Sequence, residues 1–430
     1  MLLIYTTQIC NVLHYACSAV LRDCESAWQL TSDFSAFENY QGPKINYSIT
    51  AVKDAVHVWP ANEIHHFKPT ELVRPALGKW RGMQAIYPTE QGIGIDIFFA
   101  TFYMLARCDE YNAKHTDELD RYTAADSLYA DQKFYRKPWV DYWIIAFSDE
   151  IKSRWPEVIF RKVQYRFIST IDVDSAFAYR HKGLVRTLGG MGKDLVHFRF
   201  ANLCNRILTL LHLKPDVYDT YNYIMQKSVG IETIFFFLLA DYGSMDKNVP
   251  HTSKSLQALV RNCHSKKAVG LHPGVASNSD MDTLKLEKAR LEEITHEPCT
   301  RSRQHYLMLR MPHTYRALLA CGITDDYTMG YADDVGFRAG TCRSFSWFDW
   351  GKDEATKLTI HPFAAMDATL NRYLNLQPAE AIALHNELIS EVKKVNGIFI
   401  SLWHNETLCD EGIWKGWREV WEDLLLSACE

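Results

Sequence analysis

From about residue 160 onward, short apolar runs alternate with segments of helical period. The runs are "VQYRFISTI", "TIFFFLLA", "AVGLH", "HYLML", "GIT", "KLTIHPF" and "GIFISLW". Each has the length of a buried strand. Between them, residues 194–213, 281–296 and 378–395 repeat apolar positions at helical spacing. The last of these opens on Pro378, aligns Leu384, Leu388, Val392 and Val395 on one face, and stops before Gly397. Strand–helix alternation predicts parallel strands joined by crossovers. Roughly seven such units predict a closed or nearly closed seven-stranded β/α barrel, the α/β class. No Gly-rich dinucleotide turn follows any run, which argues against a doubly wound nucleotide-binding sheet.

Residues 1–155 follow another pattern and predict a smaller α/β domain ahead of a barrel over 156–430. "LLIYT" reads as a strand and the next apolar segment as a helix. Asp96 is placed to cap "IFFATFYMLARCDEY", a helix apolar on nearly every side and therefore buried. "VDYWIIAFSDEIKSRW" reads as a second helix. The proline-rich stretch 58–80 reads as irregular. It holds the adjacent pair His65 and His66, whose side chains point opposite ways in an extended segment and so make a poor metal pair. The longest apolar stretches, 97–106 and 233–240, are too short to span a bilayer. The N-terminus lacks a basic start and a small-residue cleavage site. A soluble, cytoplasmic protein with no transmembrane segment is the expectation.

Composition changes this picture little. The 430 residues are 47% hydrophobic and 23% charged, as in ordinary folded proteins. A net charge of −5 without a basic stripe predicts no nucleic-acid partner. Eleven cysteines, scattered and without a C-x-x-C pair, predict reduced thiols.

In a parallel β/α barrel, chemistry sits where strands end. The runs deliver Asp172 and Asp174, then Asp241 and Tyr242, then His272, then Arg303 and His305. After these come Asp325 and Asp326, Arg338, His361 and Asp367, and finally His404, Asn405 and Glu406. Asp172 and Asp174 stand at i and i+2, on one face and about 7 Å apart. Two such carboxylates repel unless a cation lies near them. A divalent metal can bind one and leave the other as a base. Alternatively, one aspartate caps a helix over "SAFAYRHKG". A third reading takes D-x-D as the Mn²⁺ and nucleotide-sugar motif of a glycosyltransferase, but no nucleotide-binding half accompanies it. His272 and His404 supply the usual neutral-pH ligand and general acid. Arg338, between glycines in "GFRAG", can hold a carboxylate ionised.

The segments "TIDVD", "GLHPG", "GFRAGT" and "SLWHNE" occur in the order of motifs in polysaccharide deacetylases of the NodB-homology type. The chain resembles that family. Longer stretches such as "FYMLARCDEY" and "TMGYADDVGFRAGT" resemble a bacterial branch with an uncharacterised N-terminal domain. The resemblance implies a deformed seven-stranded barrel that removes N- or O-acetyl groups from a carbohydrate with a divalent metal, usually zinc. It implies Asp172 as catalytic base, Asp174 and His272 as metal ligands, Arg338 as the tether of the base, and His404 as general acid. Trp403 and Tyr242 are the expected sugar-stacking residues. This chain departs from the family at two places. Val173 separates aspartates that are usually adjacent. The second motif lacks its second histidine, since Ala276 follows four residues after His272. Ser277, Asn278 or His305 is left to complete the site. A non-catalytic barrel that binds glycan or a partner is the alternative function.

Overall fold

The computed structural model describes residues 1–60, 74–111, 113 and 115–430. His65 and His66 lie outside the described residues. Two sheets carry the fold. The N-terminal one has four parallel strands in the spatial order Trp28–Thr31, Leu2–Thr6, Lys44–Tyr47 and Val56–Val58. The expected helix Asn11–Val20 and the fully buried helix Ile97–Leu105 accompany it. Asp96 caps the latter by accepting from the Phe99 N–H at 2.9 Å.

The large sheet has nine strands. Their order is Phe345–Asp349, Glu354–Ile360, Asp325–Asp326, Arg301–Ser302, Ala268–His272, Glu232–Leu238, Arg166–Val173, Ile398–His404 and Ala365–Met366. Only the first pair is antiparallel. The count therefore exceeds the seven expected. Three of the extra or shortened strands are two residues long, below what a hydrophobic period can signal. Single hydrogen bonds curl the two edges toward each other: Phe363 N donates to Met329 O at 3.0 Å and Ala364 N to Ile400 O at 3.0 Å.

Alternation along the strands sorts the side chains into two layers. Ile168, Ile234, Phe236, Ile400 and Leu402 form a compact inner cluster with Tyr327 and Phe363. Their odd-numbered neighbours Ile171, Val173, Phe235, Phe237 and Trp403 join the outer core under the helices. Gly270 serves the inner layer. A Cβ there would lie 2.6 Å from the Phe236 ring.

The outer core is one cluster that includes both the N-terminal sheet and the large one. Polar bonds join the two parts as well. The "GFRAG" glycines belong to this junction: Gly336 has φ +139°, and a Cβ on it would meet Tyr135 O at 2.6 Å. Arg338 between them grips Glu110 with Nε at 2.8 Å and Nη2 at 2.6 Å. All eleven cysteines are unpaired.

Two helix expectations need correction. Residues 194–213 are not one helix but parts of two, Leu184–Val196 and Phe200–Leu210, with Phe198 left-handed between them. No helix forms over "SAFAYRHKG", so neither aspartate caps one there.

Candidate metal centre

Strand register assembles the site. Asp172 pairs with His404 across adjacent strands, and Leu238 pairs with His272. One step beyond Val173, Asp174 reaches the level of His272. The strand Arg301–Ser302 then delivers Arg303 and His305, two residues apart like the aspartates. All these side chains meet at the strands' C-terminal ends, beside a cavity of about 240 Å³.

Asp174, His272 and His305 place one ligand atom each within 4.8 Å of one another. Asp174 lies 3.1 Å from His272 Nε2 and 3.5 Å from His305 Nε2. His272 Nδ1 donates to the Arg303 carbonyl at 2.6 Å. A carbonyl only accepts, so Nδ1 carries the hydrogen and Nε2 is the ring atom turned toward Asp174. Asp174 Oδ1 is buried, 3.1 Å from that nitrogen, so a proton or a cation fits between the two atoms. His305 is oriented in the same way, its Nδ1 donating to Asp246 Oδ1 at 2.7 Å. Such outer partners fix tautomer and ring orientation in metal-bound histidines. Burial alone would lower the His305 pKa, but Asp174 and Asp246 raise it to about 9. Burial would raise the Asp174 carboxyl, but His305 and then His404 hold it well below the usual range.

Asp172 takes a different position. Its side chain is 2% exposed, and it accepts from Arg303 Nη1 at 3.0 Å. Arg303 is fully buried, also donates to the Tyr327 carbonyl at 2.9 Å, and lies 4.8 Å over the Phe236 ring. The arginine expected at Asp172 was Arg338. The structure corrects this: Arg338 is committed to Glu110, and Arg303 stands beside Asp172.

His404 closes the other side. Its Nε2 is 3.8 Å from Asp174. Its Nδ1 donates to Asp367 Oδ1 at 2.8 Å, while Asp367 Oδ2 accepts from the His404 N–H and the Thr407 hydroxyl. Burial opposes protonation of His404, but Asp367 first, then Asp174 and Asp172, raise its pKa to about 10. The site therefore sets the Asp172 carboxyl and the His404 imidazole on either side of the cluster. Asp367→Asn is expected to lower the His404 pKa, since the carboxylate that most raises it is removed. NMR titration of the imidazole checks this, and an unchanged titration contradicts that pairing.

Of the two expected sugar-stacking residues, Trp403 is corrected. It is fully buried on the outer layer, with its ring 6.3 Å from Trp417. Tyr242 is exposed at the rim but is covered by Arg186 at 4.0 Å and Lys247 at 4.7 Å, and it does not line the cavity. The aromatic lining comes instead from Tyr306, Tyr373 and Trp414.

"HYLML" is likewise a tight turn and not a strand. His305–Leu307 is a 3-10 turn in which Tyr306 and Leu307 both have φ +57°. Such residues cost about 1–2 kcal/mol each. The turn is held from both sides: Asn278 Nδ2 donates to Met308 O at 2.6 Å, and Arg121 Nη1 to Tyr306 O at 2.9 Å. Arg121, from the N-terminal part, also lines the cavity. Sequence reading missed it, as it missed Asp246. Both lie in polar loops that carry no periodic signal.

Residues 2–156 match a family of unknown function, DUF7033. No curated protein matches the chain. Among solved structures, a Mycobacterium smegmatis protein assigned as a polysaccharide deacetylase aligns over 62% of this chain and 86% of its own. Its identity is 14% and its TM-score 0.40. A polysaccharide deacetylase from Bacillus cereus covers 60% of this chain and 88% of its own, at 12% identity and TM-score 0.28. The 7,8-dihydropteroate synthase from Vibrio fischeri ES114 covers 60% and 94%, at 9% and 0.27. Overlaps this loose do not assign a function, which has to be argued from the side chains.

Proposed function

We propose that this chain hydrolyses acetyl groups from a sugar or glycan, with a divalent cation held by Asp174, His272 and His305. The observation that carries this reading is the convergence of Asp174, His272 and His305, which bring one ligand atom each within 4.8 Å of one another as a three-sided cradle. One carboxylate and two imidazoles suit zinc with positions left open. Such a cation supplies Lewis-acid polarisation of the acyl carbonyl and of the attacking water.

The chain's own groups do the rest. Asp172 removes a proton from the water, and Arg303 holds the Asp172 carboxylate in position from 3.0 Å. His404 gives its Nε2 proton to the departing nitrogen or oxygen, while Asp367 holds the imidazole in place. Tyr306 and Trp414 offer ring faces to the sugar. His305 takes the place left by the missing second histidine of the motif. Residues 1–155 and 156–430 are the proposed parts, the first supporting the His305 turn through Arg121.

Asp174→Asn is expected to reduce bound metal from one ion per chain to near none and to abolish acetate release. Elemental analysis of protein purified without chelator, with acetate assays on N- and O-acetylated sugars, measures both. Acetate release that persists in metal-free protein overturns the proposal. No bound metal and no acetate release across the panel support the alternative, a non-catalytic barrel that binds glycan or a partner.

A further inference from the structure

We infer that the helical hairpin 184–213 is a contact for an anionic membrane surface. Among the described residues, twenty-four large apolar side chains are exposed, and eleven of them fall within these thirty positions. Leu184, Val185, Leu188, Leu195 and Val196 recur at helical spacing on the first helix. Phe198 and Phe200 project at the tip, 78% and 55% exposed. Ile207, Leu208, Leu211 and Leu213 continue the surface along the second helix and beyond it. Scattered exposed apolar residues need no explanation, but a contiguous group this large marks a binding surface.

The two helices of the hairpin brace each other. Arg206 pairs with Asp194 at 2.9 Å, and a Cβ on Gly190 would meet the Arg206 guanidinium at 2.7 Å. The two helices thus pack antiparallel on each other while their apolar faces stay in solvent. Arg186 anchors the base, donating to the carbonyls of Asn248 and Lys247 at 2.8 Å. Those residues follow Asp246, the partner of His305. The hairpin therefore rises from the rim on which the cavity opens.

Charge selects the occupant. Of the basic residues here, Arg206 is paired with Asp194, Lys214 with Glu411, and Arg186 with backbone carbonyls. Lys193 and Arg199 stay exposed beside the apolar face, in a chain whose net charge is −5. A second copy in a two-fold arrangement would set like-charged faces together, which is unfavourable. An apolar face flanked by Lys193 and Arg199 matches instead the boundary between acyl chains and anionic headgroups. The helices have 13 and 11 residues, about 20 and 17 Å, too short to span a bilayer. Among the described residues, no helix is long and apolar enough to cross a membrane. The contact is thus interfacial, and it stands independently of the reaction proposed above.

The test is flotation of the full chain with phosphatidylglycerol and with phosphatidylcholine vesicles, beside the double variant F198S/F200S. Wild type is expected to float with the anionic vesicles and to release as salt rises, since the screening length falls from about 10 Å at 0.1 M to about 3 Å at 1 M. F198S/F200S should bind at least about tenfold more weakly, with unchanged circular dichroism and melting. Absence of vesicle binding, or equal binding by the variant, overturns the inference. So does a discrete dimer in light scattering that the variant converts to monomer, because self-association then accounts for the patch.

Discussion

Asp172→Asn is expected to lower kcat for acetate release by about 10²–10⁴ while metal content and KM stay near wild type. The substitution keeps shape and removes basicity. Asp172 is not one of the three clustered ligands, so the cation should remain. The amide oxygen can still accept from Arg303 Nη1, now 3.0 Å from the carboxylate. The positive charge of a fully buried arginine is nevertheless left without its counter-charge, which destabilises the fold. Turnover must therefore be compared per folded molecule, with circular dichroism fixing the folded fraction. Unchanged turnover per folded molecule on a confirmed substrate would remove Asp172 from the base position. Loss of metal together with activity would instead make it a ligand.

Glu110→Gln is expected to destabilise the chain by about 3–5 kcal/mol, the range found when one member of a buried ion pair is removed. Glu110 accepts from Arg338 at 2.8 and 2.6 Å and from Arg107 at 2.7 Å. Arg338 has 2% exposure and, among the described residues, donates beyond Glu110 only to the Gly330 carbonyl at 3.0 Å. Arg107 still has Asp109 at 3.1 Å. Urea unfolding measures the effect, and a loss below about 1 kcal/mol contradicts it. Burial alone would raise the Glu110 carboxyl, but Arg338 and then Arg107 hold it well below its ordinary value. A depressed folded pKa means stability that is present above the unfolded value, near 4.3. That stability is lost as pH falls through the folded value. The gap between wild type and Glu110→Gln should therefore narrow on acidification below about pH 4. Burial, and then the Glu110 charge, push the neighbouring Asp109 carboxyl the other way, so Glu110→Gln also relieves Asp109.

Much of this arrangement was legible along the chain. The cap at Asp96, the helix from Pro378 and the alternation of strands and helices all follow local rules, and local contacts enforce them. The D-x-D spacing brought Asp172 and Asp174 to one face because a strand returns there every second residue. The same period, applied to Arg303 and His305, would have paired Arg303 with the aspartates. It would also have turned Trp403 away from the cavity, since His404 points in. Motif order points to Arg338, but its flanking glycines serve the close approach of Tyr135 at Gly336 and of Met104 at Gly340, not the site. The break at Phe198 carries no glycine or proline, so helical period runs through it unmarked. The His305 turn was the hardest to read. "HYLML" has strand composition, and partners distant in the chain, Asn278 and Arg121 among them, hold a turn that is left-handed at two positions.

The most direct measurement of the central claim is anomalous diffraction at the zinc edge from crystals of the full chain purified without chelator. The account predicts one peak per chain, within bonding distance of Asp174, His272 Nε2 and His305 Nε2, and its absence in Asp174→Asn crystals. A zinc-saturated crystal with no peak between those three side chains contradicts the account.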